Sequence, residues 1–186
     1  MKSDVCKITG DKESLKAILQ ETEKAAAYNK LDQKSSNQLR LMAEELISML
    51  PELLDCADGD FWIEAQNNKY KLRTSLVPTK AMSSDKREKL LSISTTGKND
   101  AGKGILGKIL VAAQLMMIDY AQVSATSGNF YEMGRSWSLD TYRSYAGKEK
   151  GQAWDELEKS IIASISDDVV VRIHEKKVEI IITKQF

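Results

Sequence analysis

The sequence predicts an α+β domain: an antiparallel-rich mixed sheet with helices packed on one of its faces. Three observations predict it. Leu39, Met42, Ala43, Leu46, Ile47, Leu50, Leu53 and Leu54 recur at helical spacing and form one long apolar stripe. Phe61, Ile63 and Ala65, then Tyr70, Leu72 and Thr74, alternate at period two around Asn67 and Asn68, residues that tolerate the positive φ of a tight hairpin turn. The chain closes in two β-branched runs that flank "EKK", a second hairpin.

The remaining elements follow along the chain. "DVCKITG" (4–10) reads as a short edge strand ended by a glycine. Asp11 is placed to cap a helix, with Ser14 behind it and Glu13 in the first turn, and Leu15, Ile18, Leu19, Thr22, Ala25 and Ala26 lie on one side. The long stripe occupies a helix within 35–59, where Pro51 is expected to kink or restart the last turn and "ADGD" to end it. The hairpin fills 60–78, and a short helix at 83–93 takes Ser83 or Ser84 as its cap. A glycine-rich loop (94–103) opens a helix over 104–121. Residues 122–147 read as an irregular insertion, relieved by a short helix in "SLDTYRSYAG" that starts at Ser138 and stops at Gly147. A longer helix carries Trp154, Leu157, Ile161, Ile162 and Ile165 on one side, and Asp167 and Asp168 end it. No repeat and no linker interrupts this order, so residues 1–186 are expected to form a single domain.

Composition narrows the function. Hydrophobic residues are 42% and charged residues 29%, and Lys+Arg and Asp+Glu both number 27. With no net charge, no global field draws the chain to nucleic acid or to a membrane surface. The start, "MKSDVCKITGDKESL", lacks the apolar segment of a signal peptide, and "ILVAAQLMMI" is far shorter than the about 20 residues a membrane span needs. A cytoplasmic location is therefore expected. Cys6, Cys56 and His174 lack the spacing of a zinc site, so the cysteines read as small apolar residues in a reducing compartment, and no metal ligands are assigned. The aromatics Phe130, Tyr131, Trp137, Tyr142, Tyr145 and Trp154 cluster in the insertion region, as a satellite core or a partner surface.

"STTGKNDAGKGILGKILVAAQLMM" (94–117) is the stretch with the most chemical content. Gly97 to Lys103 fits the phosphate-loop pattern G-x-x-x-x-G-K, but Gly104 stands where a magnesium-binding Ser or Thr is required. Gly102, Gly104 and Gly107 fit the dinucleotide pattern G-x-G-x-x-G, without the parallel βαβ unit that gives that pattern meaning. Lys98, Lys103 and Lys108 are placed to meet phosphate or to remain solvated.

The element order, with "LRLMAEELISML" (39–50) and "GKGILGKILVAAQLMM" (102–117), resembles the GHKL superfamily of gyrases, heat-shock chaperones and histidine kinases. It looks most like the small anti-sigma-factor serine kinases within it. The resemblance implies ATP and magnesium as ligands, Glu45 as general base, and a lid whose backbone amides hold phosphate at a helix start. Ser48, Gly97, Lys98, Gly102, Lys103, Gly104 and Gly107 are the corresponding nucleotide and phosphate contacts. Two departures stand beside it. Met49 occupies the position of the family's magnesium-binding asparagine, leaving Ser48 as the nearest oxygen donor. "LVPTKAMSS" (76–84) replaces the adenine-reading D-x-G-x-G. The resulting expectation is a regulatory protein on a degenerate anti-sigma-kinase-like scaffold, acting mainly by binding another protein, with nucleotide binding weakened or lost. An active ATP-binding kinase or ATPase with substitute ligands, and an interaction module unrelated to the superfamily, are the alternatives. The sequence leaves enzyme activity and oligomeric state open.

Overall fold

The computed structural model describes residues 1–53, 56–78, 136–146, 161–174 and 177–186. Its elements are β1 (Cys6–Ile8), α1 (Lys12–Tyr28), α2 (Gln33–Leu53), β2 (Cys56–Gln66), β3 (Lys69–Pro78), β4 (Ser136–Ser138), α3 (Leu139–Ala146), α4 (Ile161–Ile165), β5 (Asp168–His174) and β6 (Lys177–Gln185). The strands form one sheet in the order β1-β2-β3-β6-β5-β4, and each of these neighbours is antiparallel. The α+β reading thus holds, with the C-terminal hairpin inserted through β6 beside β3 at the sheet centre. Among the described residues, no helix is long and apolar enough to cross a membrane.

Local chemistry sets the element ends. The Asp11 carboxylate accepts the Ser14 N–H at 2.7 Å and the Thr9 hydroxyl at 2.9 Å, while Ser14 Oγ donates to the Lys7 carbonyl at 2.8 Å. One cap therefore starts α1 and ties it to β1. Asp32 caps α2 in the same way, accepting the Ser35 N–H at 2.7 Å, so this helix begins at Gln33 and runs through Pro51 to Leu53. Asn67 and Asn68 both take positive φ, 51° and 60°, and close the β2–β3 hairpin as their residue type predicts.

"ADGD" does not end a helix. Cys56 already belongs to β2, and Gly59 lies inside that strand, after an irregularity between Cys56 and Asp58. The reason is steric. A Cβ at Gly59 would come within 2.6 Å of Leu76 Cδ2 and 3.2 Å of Ile8 Cβ. The bare backbone lets the side chains of β1 and β3 close over β2. A second difference lies at Ser136–Ser138, within the stretch read as irregular. It pairs with Val170–Arg172 of β5 and becomes the sheet edge. Three residues are too short for a periodic signal, so the β5 ladder decides their conformation. The short helix expected at 83–93, the loop at 94–103 and the helix at 104–121 lie outside the described residues, as do Phe130 and Tyr131.

The register sorts the two faces. Gly59, Phe61, Ile63 and Ala65 pair with Leu76, Thr74, Leu72 and Tyr70, which in turn pair with Val178, Ile180, Ile182 and Lys184. Apart from Lys184, all of these are buried. They share one core with Ile18, Ala25 and Ala26 of α1 and with Leu39, Met42, Ala43, Leu46, Ile47 and Leu50 of α2. Leu139 of α3 and Ile162 and Ala163 of α4 join the same core. The described helices therefore contribute to one apolar layer against one face, and each fully buried Leu, Ile or Phe contributes about 1.5–3 kcal/mol. Phe186 closes the end of this layer, its ring edge-to-face with Tyr70 at 5.5 Å and its N–H donated to the Asn68 carbonyl.

The opposite face carries charged and polar side chains around Trp62 and the buried Ile181. Arg73 bridges Glu64 at 3.1 Å and Glu179 at 2.9 Å across three strands. Trp62 donates its indole N–H to Glu64, with Lys2 and Arg73 over its ring at 5.2 and 5.9 Å. Lys7 pairs with Asp60 at 2.6 Å.

Two outcomes follow. Gly59→Ala forces β1 or Leu76 to move and lowers stability by about 1–3 kcal/mol, read as a fall in the urea midpoint. The second concerns acid. Backbone hydrogen bonds from Ser14 and Ser35, chiefly, hold the Asp11 and Asp32 carboxyls below the usual aspartate range. Their contribution is complete above the unfolded aspartate pKa and is lost as pH falls through the lowered folded values. Helix content measured by circular dichroism in dilute urea should therefore fall on acidification less steeply in an Asp11→Ala, Asp32→Ala double variant than in the native chain.

Candidate functional site

Of the residues assigned to catalysis or nucleotide binding, Glu45 and Ser48 lie in the described part of the chain, both on α2. Gly97, Lys98, Gly102, Lys103, Gly104 and Gly107 lie outside the described residues. The described part of the site centres on Glu45.

The 3.6-residue period turns Glu45 to the edge of the apolar stripe, between buried Met42 and Leu46 on one side and exposed Leu41 and Ser48 on the other. Glu45 is half-buried. Its Oε2 accepts the backbone N–H of Ile162 at 2.5 Å, a contact between residues 117 apart in sequence. A carboxylate bonded to an N–H is a strong acceptor, because the full charge aligns the donor. Ile162 and Ala163 are buried beneath this contact, and α2 packs directly on α4.

A second charged side chain meets α4 from the other direction. Arg143 of α3 donates Nη1 to the Asp167 carbonyl at 2.9 Å and Nη2 to the carbonyls of Ala163 and, at 3.2 Å, Ser166. The planar fork spreads its donors over several carbonyls at once, which an ammonium cannot do in the same geometry. Asp168 Oδ1 accepts the Asp140 N–H at 3.1 Å, which holds the start of α3 to β5. Asp167 is engaged as well, with Lys184 at 3.0 Å and the Gln185 N–H at 2.6 Å. These two carboxylates anchor the junction of α4, β5 and β6. Among the described residues, no group of three or more His, Cys, Asp or Glu could hold a metal ion.

Sequence reasoning singled out Glu45 and missed its partner. Nothing local marks Ile162, because the contact uses a backbone group that every non-proline residue carries. It also missed Arg143. Arg40 of α2 pairs with Glu23 of α1 at 3.1 Å, across the helix–helix contact. Cys6 is half-buried, and burial, then the charge of Glu21, pushes its thiol up, so it lacks the thiolate character of a nucleophile. A groove of about 700 Å³ opens at the turn of the β2–β3 hairpin, beside Glu64, Lys69, Lys71 and Gln185, and neither Glu45 nor Ser48 lines it.

Comparison with protein-family models finds no match. Comparisons with curated proteins and with solved structures find no similar protein either.

Removing the fork tests the Arg143 geometry. Arg143→Ala should cost about 1–3 kcal/mol of unfolding free energy by denaturant titration, and Arg143→Lys should recover less than half of it.

Proposed function

We propose that the chain is a regulatory protein of the cytoplasm on a degenerate GHKL-like scaffold of the anti-sigma-kinase type. It acts mainly by binding another protein, with nucleotide binding weakened or lost. The observation that carries this reading is the engagement of Glu45. The carboxylate that an active enzyme of this kind would use as a base accepts the Ile162 amide at 2.5 Å. A general base must reach the proton it abstracts, and an oxygen that accepts a backbone N–H is the weaker base for it.

Other features support the scaffold reading. The long amphipathic α2 followed by the β2–β3 hairpin, with the C-terminal strands in the same sheet and the described helices in one layer, supports this reading. β3 (Lys69–Pro78) carries no Asp or Glu in its sequence, and the residues that follow it in the chain, "TKAMSS" (79–84), supply none to read an adenine amino group. A scaffold that keeps its core while its ligand-reading positions change retains its surface as the means of action.

Calorimetry with ATP decides between this reading and an active enzyme. Titration to about 1 mM nucleotide, with and without magnesium, should give no saturable heat, since a site weaker than this contributes less than about 4 kcal/mol of binding. Saturable binding that Lys103→Ala weakens would overturn this reading and favour the active kinase or ATPase, with a phosphotransfer assay as the next step.

A further inference from the structure

We propose that Glu45 is a positioning residue, a strut whose carboxylate holds α4 against α2 and so sets how β5 enters the sheet. The proposal deepens the functional reading above in naming what the carboxylate does in place of base chemistry. Its structural content stands on the Ile162 contact and on the contacts that continue from it, not on that reading.

The contacts form a continuous path. Glu45 holds the Ile162 amide, and the Ile162 carbonyl in turn accepts the Ser166 N–H at 2.8 Å. Arg143 gathers the carbonyls of Ala163, Ser166 and Asp167. Asp167 donates its N–H to the Thr183 carbonyl at 2.9 Å and accepts the Gln185 N–H at 2.6 Å. From there the β5–β6 ladder begins, with Asp168 opposite Thr183 and Val169 opposite Ile182. A charged side chain thus fixes each side of α4, one through an amide and one through carbonyls. The residues between them carry two buried apolar side chains, Ile162 and Ala163, into the core. Since a one-residue slip of β5 would carry Val169 and Val171 from the buried face to the polar one, the entry point of this strand has to be held.

The chemistry separates a strut from a base. A strut needs an acceptor oxygen at the right distance, which glutamine supplies through its amide carbonyl. A base needs a titratable carboxylate, which glutamine lacks. Native-state amide hydrogen exchange on the full chain reads the difference. In Glu45→Ala, exchange at Ile162 and Ala163 should accelerate at least about tenfold, with a smaller change at Leu72 and Ile182 in the central strands. In Glu45→Gln, exchange at Ile162 and Ala163 should stay within about threefold of the native chain. Equal acceleration in Ala and Gln, or acceleration spread evenly over all four amides, would overturn the proposal. If Glu45→Ala does not fold, Glu45→Asp, a methylene too short to reach Ile162, provides the same contrast with Gln. The calorimetric result is independent: ATP binding would remove the functional reading and leave the strut in place, whereas the exchange result removes the strut without restoring nucleotide binding.

Discussion

The register of the β2–β3 hairpin is the constraint on which the other contacts rest. With Asn67 and Asn68 both at positive φ, Ala65 meets Tyr70, Ile63 meets Leu72 and Phe61 meets Thr74. That alignment puts one continuous apolar surface on one side and Trp62, Glu64, Lys71 and Arg73 on the other. A slip by one residue would exchange the two sides, burying the charged set and exposing the aromatic one. Phe186 and Gln185 secure the same turn from the C-terminus through the carbonyls of Asn68 and Asn67, so the first hairpin and the last strand hold each other in place.

From this surface the layering follows. α2 offers its stripe to the sheet and its flank to α4, and α1 lies beside α2, with Arg40 and Glu23 joined across them. The polar side chains at the seams are mostly engaged with backbone. Asp11, Asp32, Asp168 and Glu45 accept N–H groups, and Arg143 donates to carbonyls. Charges used in this way position backbone segments more than they stabilise one another, because their partners cannot move away as a long side chain can.

The same distinction bears on function. A carboxylate on a helix flank is chemically ambiguous, serving equally as a base, a metal ligand, a solvated charge or a brace for backbone. Its sequence neighbours, Glu44 and Leu46, do not choose among these. The fold supplies the Ile162 amide, and with it a structural use for Glu45.

The sequence by itself determined the helices of α1 and α2, the Asp11 cap, both hairpins, the Asn-Asn turn and the inward residues of β2 and β3. Each of these rests on neighbours within a few positions, through the 3.6-residue and two-residue periods and through side chains that reach their own backbone. Tertiary structure alone decided that Gly59 belongs to a strand, that Ser136–Ser138 closes the sheet, and that Glu45 and Arg143 meet the same short helix. Those outcomes depend on atoms far apart along the chain: Ile8 and Leu76 around Gly59, the β5 ladder beside Ser136–Ser138, and a backbone amide 117 residues from Glu45. Local periodicity cannot encode such partners, because one backbone amide looks like another, and one glycine like another, until the fold brings a neighbour to them.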